Sequence, residues 1–108
     1  MNKLTITFIA LMATTAGIAL AADAKAGADV FNKSCKTCHG EGGAVPNAAV
    51  AKMFGVPIPV LGSAEVQALS DAEIRKVITE GKGKMVAAKS VTGASVDDVI
   101  AYLRTLKK

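Results

Sequence analysis

The sequence predicts an all-α domain with long loops, built around a large apolar insert. Three observations carry this. Apolar residues recur at 3–4 spacing behind helix-start signals in several places. No stretch alternates apolar and polar residues as a half-buried strand does. Past residue 21 the only aromatics are Phe31, Phe54 and Tyr102, with no tryptophan. A chain of this size buries only ~60–65% of the surface its unfolded form exposes. With so few bulky side chains its core is marginal unless something apolar completes it.

The first 21 residues read as a secretory leader and not as part of the fold. Lys3 supplies a positive start, residues 4–20 are apolar with a few Thr and Gly, and Ala19-Leu20-Ala21 offers a small-x-small cleavage site. Ala22-Asp23-Ala24 is a second such site. A retained anchor is the alternative, with the apolar run at the short limit for spanning hydrocarbon. No cysteine lies near the cleavage region, which excludes lipid attachment there. The expected organisation is a signal peptide over 1–21 and one domain over 22–108, in the periplasm. Loss of Lys3 lowers the formal charge from +4 to about +3. That balance, with so few aromatics, argues against nucleic acid as a partner.

Within the domain, Lys25 to about Lys36 predicts a helix, with Gly27, Val30, Phe31 and Ser34 on one side. Gly27 and Phe31 lie one turn apart, so a missing side chain sits next to a large one. That permits another helix to cross closely, where the plainer reading is a helix glycine tolerated at ~1 kcal/mol. Gly40-Glu41-Gly42-Gly43 reads as a turn. Pro46-Asn47 opens a short helix over 48–54, ended by Gly55. Residues 56–61 (Val-Pro-Ile-Pro-Val-Leu) are extended, because each proline drives the preceding residue out of the helical region. This apolar loop is expected to line the insert. Residues 63–69 hold one or two helical turns. Ser70 and Glu73 form a capping box for a helix through Ile74, Val77 and Ile78 to Gly81. Residues 81–85 (Gly-Lys-Gly-Lys-Met) make a glycine-rich loop ending in a thioether. Ser95 starts the last helix, with Asp97 and Asp98 in its first turn and Arg104, Lys107 and Lys108 at its end. Its buried stripe is Val96, Val99, Ile100, Leu103 and Leu106, with Tyr102 beside it.

The first predicted helix runs into Cys35-Lys36-Thr37-Cys38-His39, which reads as an attachment site for one c-type haem. Two thiols must reach two vinyl groups on one porphyrin edge, and residues i and i+3 share a helix face. The next residue, His39, then extends beneath the ring to the iron. Competing readings lack support. A thioredoxin-like pair belongs near a strand–helix–strand pattern. A structural zinc site needs four ligands, and the chain has two cysteines and one histidine. A disulfide across so small a loop stabilises little.

With His39 as one axial ligand, the sixth position falls to methionine, lysine or nothing. Met53 lies in a helical stretch beside Val50 and Phe54, where methionine usually fills core. Met85 ends a glycine-rich loop far along the chain and is the better candidate. A His/Met pair raises the potential and saturates the iron, whereas an open site favours small-molecule binding.

Taken in order, Gly27 and Phe31, the Cys35–Gly40 motif, the Gly81–Met85 loop and Val99-Ile100-Ala101-Tyr102-Leu103 resemble the class I cytochromes c, in particular small soluble bacterial ones. The resemblance spans the whole of 22–108. It implies a fold in which N- and C-terminal helices cross with Gly27 and Phe31 against Val99 and Tyr102. It implies thioether bonds at Cys35 and Cys38, axial ligation by His39 and Met85, and one-electron transfer without bond chemistry on a substrate. A backbone carbonyl is expected to take the free ring N–H of His39. The resemblance departs after Met85, where Val86, Ala87 and Ala88 stand in place of the usual proline and nearby aromatic.

The expected function is a monomeric, diffusible periplasmic electron carrier that meets protein redox partners. Lys33, Lys36, Lys52, Lys82 and Lys84 flank the haem motifs as a candidate docking ring, or as ordinary solvated surface. The alternatives are a haem subunit or dedicated acceptor of a periplasmic dehydrogenase, using the 56–61 loop as contact, and a haem protein with an open sixth site.

Overall fold

Asp23 caps the first helix. In the computed structural model, which describes residues 22–108, its carboxylate accepts from the N–H groups of Lys25 (2.9 Å) and Ala26 (3.2 Å) and so starts α1 (Ala24–Ser34). Such a cap contributes about 1 kcal/mol. The predicted leader lies outside the described residues. Cys35 ends α1 and also begins a single turn, α2 (Lys36–His39). A 3-10 turn follows at Glu41–Gly43. Asn47 caps α3 (Ala48–Phe54), whose end at Gly55 turns through the left-handed region, φ +68°. Ser63 caps α4 (Ala64–Gln67), and Ser70 caps α5 (Asp71–Glu80). The last helix, α6 (Ala94–Thr105), begins one residue before the predicted Ser95, after Gly93. Among the described residues the only β pairing is a single bridge between Lys82 and Met85.

The core joins the two ends of the chain. Phe31 of α1 is buried against Val96, Val99, Ile100 and Leu103 of α6, with Ile74 and Ile78 of α5 and two loop residues, Leu61 and Val91. Burying a Phe or Val side chain fully stabilises by about 1.5–3 kcal/mol. The close approach comes at Gly27. A Cβ there would lie 1.9 Å from the Asp98 carbonyl oxygen, so only glycine fits. Tyr102 and Phe31 stack tilted at 5.5 Å beside this crossing. The predicted partners Phe31, Val99 and Tyr102 are all there, with the Asp98 backbone added.

Several local expectations need correction. Ser70 accepts from the Glu73 N–H at 3.1 Å, but among the described residues the Glu73 carboxylate makes no return bond, so half the capping box forms. Asp98 is engaged outside its own helix, accepting from the Asp23 N–H at 2.8 Å. Lys107 and Lys108 lie beyond the end of α6. Arg104 serves more than the helix dipole, donating to the carbonyls of Gln67 (3.0 Å) and Leu69 (2.7 Å) and to Asp71. Gln67 in turn donates to the Leu61 and Leu103 carbonyls, both at 2.9 Å. These two side chains bind the α4–α5 junction to α6. The 56–61 loop divides: Leu61 enters the core, while Val56, Pro57 and Pro59 are exposed. Met53 fills no core, since it is 72% exposed.

The Tyr102 hydroxyl donates to the Gly42 carbonyl at 2.6 Å, fastening α6 to the turn behind the cysteine motif. Tyr102→Phe removes that bond and leaves the carbonyl short of a partner. The expected loss is about 1–2 kcal/mol, a fall in melting temperature of roughly 5–10 °C by calorimetry.

Candidate cofactor site

Cys35, Cys38 and His39 stand together on one helical turn because α1 runs on into α2 with a break of one residue. The Cys35 N–H donates to the Phe31 carbonyl at 2.8 Å, and the His39 N–H to the Cys35 carbonyl at 3.1 Å. The turn closes at Gly40, φ +80°, where a Cβ would meet the Val45 carbonyl oxygen at 1.8 Å. Gly40 is therefore fixed both by its backbone angle and by the strand of loop pressed against it. Asn47 completes the clamp: its N–H donates to the Cys38 carbonyl and its side-chain amide to the Thr37 carbonyl, both at 3.0 Å. Pro46-Asn47 signalled a helix start in the sequence, but nothing there signalled this second role.

Both thiols are half-buried and unpaired. Burial pushes the Cys35 thiol above its ordinary value, and the neighbouring Cys38 adds to the rise. A thiol-exchange pair needs the opposite, a depressed pKa on the attacking cysteine. Among the described residues no group of three or more His, Cys, Asp or Glu side chains is placed to hold a metal ion. Burial lowers the pKa of His39, keeping its imidazole neutral with a lone pair to give. The His39 ring lies 6.4 Å from Phe31. Its Nδ1 is buried without a hydrogen-bond partner, so the carbonyl expected to orient the ring is not in place.

Met85 comes from a different part of the chain. Gly81 (φ +80°) and Gly83 (φ +57°) shape a tight turn in which Lys82 and Met85 exchange two backbone hydrogen bonds, both at 2.9 Å. A Cβ on Gly81 would meet the Met85 carbonyl oxygen at 2.6 Å, so the glycine sets the approach of the methionine backbone. The Met85 side chain is half-buried, while Val86 next to it is 82% exposed.

These residues fit a covalently held porphyrin. Two free thiols one turn apart adjoin a neutral imidazole. The large apolar side chains left exposed (Val45, Met53, Phe54, Val56 and Val86) all lie between the cysteine motif and α6, and none on α1, α5 or α6.

Comparison with known proteins agrees. The model of a family described as cytochrome c oxidase, cbb3-type, subunit III matches residues 22–103. The chain belongs to this cytochrome c family. Among solved structures it is similar to a c-type cytochrome, KustC0563, with 30% sequence identity and a TM-score of 0.63 over 76% of this chain and 98% of that one. No protein of curated function matches. The cytochrome c family carries one covalent c-type haem in a domain of this size and uses it for electron transfer with redox partners. The all-helical fold is that of a class I cytochrome c. Among the described residues no helix is long and apolar enough to cross a membrane.

Proposed function

We propose that the protein is a periplasmic one-electron carrier whose haem is bound through Cys35 and Cys38 and ligated by His39 and Met85. It is not an enzyme on this reading, because a saturated iron leaves no position for a substrate. The observation that carries it is the placing of both thiols and a neutral imidazole on one turn, with a thioether presented by a separate, backbone-locked turn. The haem supplies a one-electron couple at its iron. Cys35 and Cys38 hold it, and His39 and Met85 set its potential. Lys33, Lys36, Lys52, Lys82 and Lys84 are all exposed, as a docking ring for an acidic partner requires. The leader read in residues 1–21 supports export.

A second reading, a haem-bearing subunit of a larger periplasmic redox complex, is favoured by the matching family's description as an oxidase subunit and by exposed Phe54 and Val56. The purified holo-protein is expected to elute as a monomer, to show the weak near-infrared sulfur-to-iron band when oxidised, and to ignore carbon monoxide when reduced. Rapid carbon monoxide binding sinks the saturated-iron reading. Elution only as an assembly sinks the free carrier.

A further inference from the structure

The turn from Gly81 holds Met85 from the front, and the segment behind Met85 has anchors of its own. Val86, Ala87 and Ala88 carry no polar side chain, and Val86 is 82% exposed. Their backbone is nevertheless fixed. A Cβ on Gly81 would meet the Ala87 nitrogen at 2.9 Å, so residues 85–87 pass close over that glycine. The Ala88 N–H donates to the Ile78 carbonyl at 2.8 Å. That carbonyl is among the last four of α5, which have no partner inside their own helix. The Ala88 carbonyl accepts from the Val91 N–H at 2.9 Å, closing a turn that delivers the Val91 side chain to the core, 2% exposed. Between these two anchors the Ser90 and Ser34 hydroxyls share a hydrogen bond, with 3.2 Å between their oxygens. Ser34 is the residue before Cys35. The segment that follows Met85 is thus tied to α5, to the core and to the end of α1.

We propose that Ala88, Ser90 and Val91 are the positioning residues for Met85, and that release of residues 86–91 alone frees its thioether. The inference rests on Met85 as the sixth ligand, the reading given above. Val91 belongs to the core but to no helix, so it can leave with its loop while α1 and α6 stay packed. Local openings of this kind cost less than global unfolding. In the opened state Val91 is exposed, so trimming it favours opening. Val99, on α6, is exposed only when the whole domain unfolds.

The test sets Val91→Ala beside Val99→Ala in the holo-protein. Both remove the same two methyl groups, from side chains 2% and 1% exposed, so both are expected to lower the melting temperature. They are expected to differ at the iron. In Val91→Ala the sulfur-to-iron band should vanish on heating before the far-ultraviolet melt, and carbon monoxide uptake by the reduced protein should quicken roughly tenfold. In Val99→Ala the band should last until the melt, with uptake unchanged. Band loss that coincides with the melt in both variants, or precedes it equally in both, overturns the proposal. Ser90→Ala serves should Val91→Ala fail to fold, because it trims only an exposed hydroxyl. It is expected to keep the melting temperature and to quicken uptake roughly two- to fivefold. Ser34→Ala should match it, the double variant should gain nothing further, and Ser90→Thr should restore slow uptake. Gains that multiply in the double variant, or no gain in either single one, overturn the tie between Ser34 and Ser90. An unsubstituted protein that lacks the band and takes up carbon monoxide at once overturns the ligand reading, and this proposal with it.

Discussion

Gly27→Ala is expected to lower the melting temperature of the holo-protein by roughly 10–20 °C, against its helix propensity. Alanine is the better helix former by about 1 kcal/mol, so propensity alone predicts a more stable α1. The new Cβ would lie 1.9 Å from the Asp98 carbonyl oxygen and 2.9 Å from Tyr102 Cβ. The nearest atom is backbone and has no rotamer to change, so α1 and α6 must separate by about 1.5 Å to restore ordinary contact. Overpacking of this kind costs about 1–3 kcal/mol or more, and separation also loosens Phe31 against Val99. In a domain with roughly 5–15 kcal/mol of total stability that loss is large. Calorimetry of the two proteins checks it, and an unchanged or raised midpoint would show that the crossing tolerates a side chain.

Met85→Ala is expected to open the iron. The oxidised variant should lose the near-infrared sulfur-to-iron band, the reduced variant should bind carbon monoxide, and the reduction potential should fall, because a thioether ligand raises it. Fold should survive, since Met85 stands outside the core of Phe31, Val91, Val96 and Val99, and far-ultraviolet circular dichroism separates ligand loss from unfolding. Met53→Ala provides the contrast. Its side chain is 72% exposed, so the expected stability change is within about 0.5 kcal/mol and the spectrum unchanged. Carbon monoxide binding by Met53→Ala, with Met85→Ala inert, would reverse the assignment.

The elements written in local code were legible from the sequence. Ser70, Asn47 and Gly55 announced helix ends through short-range hydrogen bonds and backbone angles, and the α6 stripe announced its buried face through periodicity. The cysteine–histidine turn is legible for the same reason, since its helical spacing lies within five residues. What stayed hidden depends on partners far along the chain. Val91 is 2% exposed yet sits in an irregular segment where no period marks it. Arg104 and Gln67 look like ordinary surface residues until the carbonyls of Leu69, Leu61 and Leu103 are brought to them. Asp23 looks like part of a cleavage motif in the sequence, and its capping role emerges only with α1 in place. Val50 and Phe54 beside Met53 point to a core position, but α3 is too short and too peripheral to bury it.

The contact between Gly27 and Asp98 also sets an order of events. The two residues are about 70 positions apart, so closing that loop costs roughly 4 kcal/mol of chain entropy before any packing returns it. Half of the buried core residues besides Phe31, namely Val96, Val99, Ile100 and Leu103, come from α6. A chain lacking α6 has no completed core behind the Cys35–His39 turn. Docking of α6 on α1 is then the step that completes the domain, and a chain cut short before Ile100 would keep the Cys35–His39 sequence but lack the helix that buries Phe31.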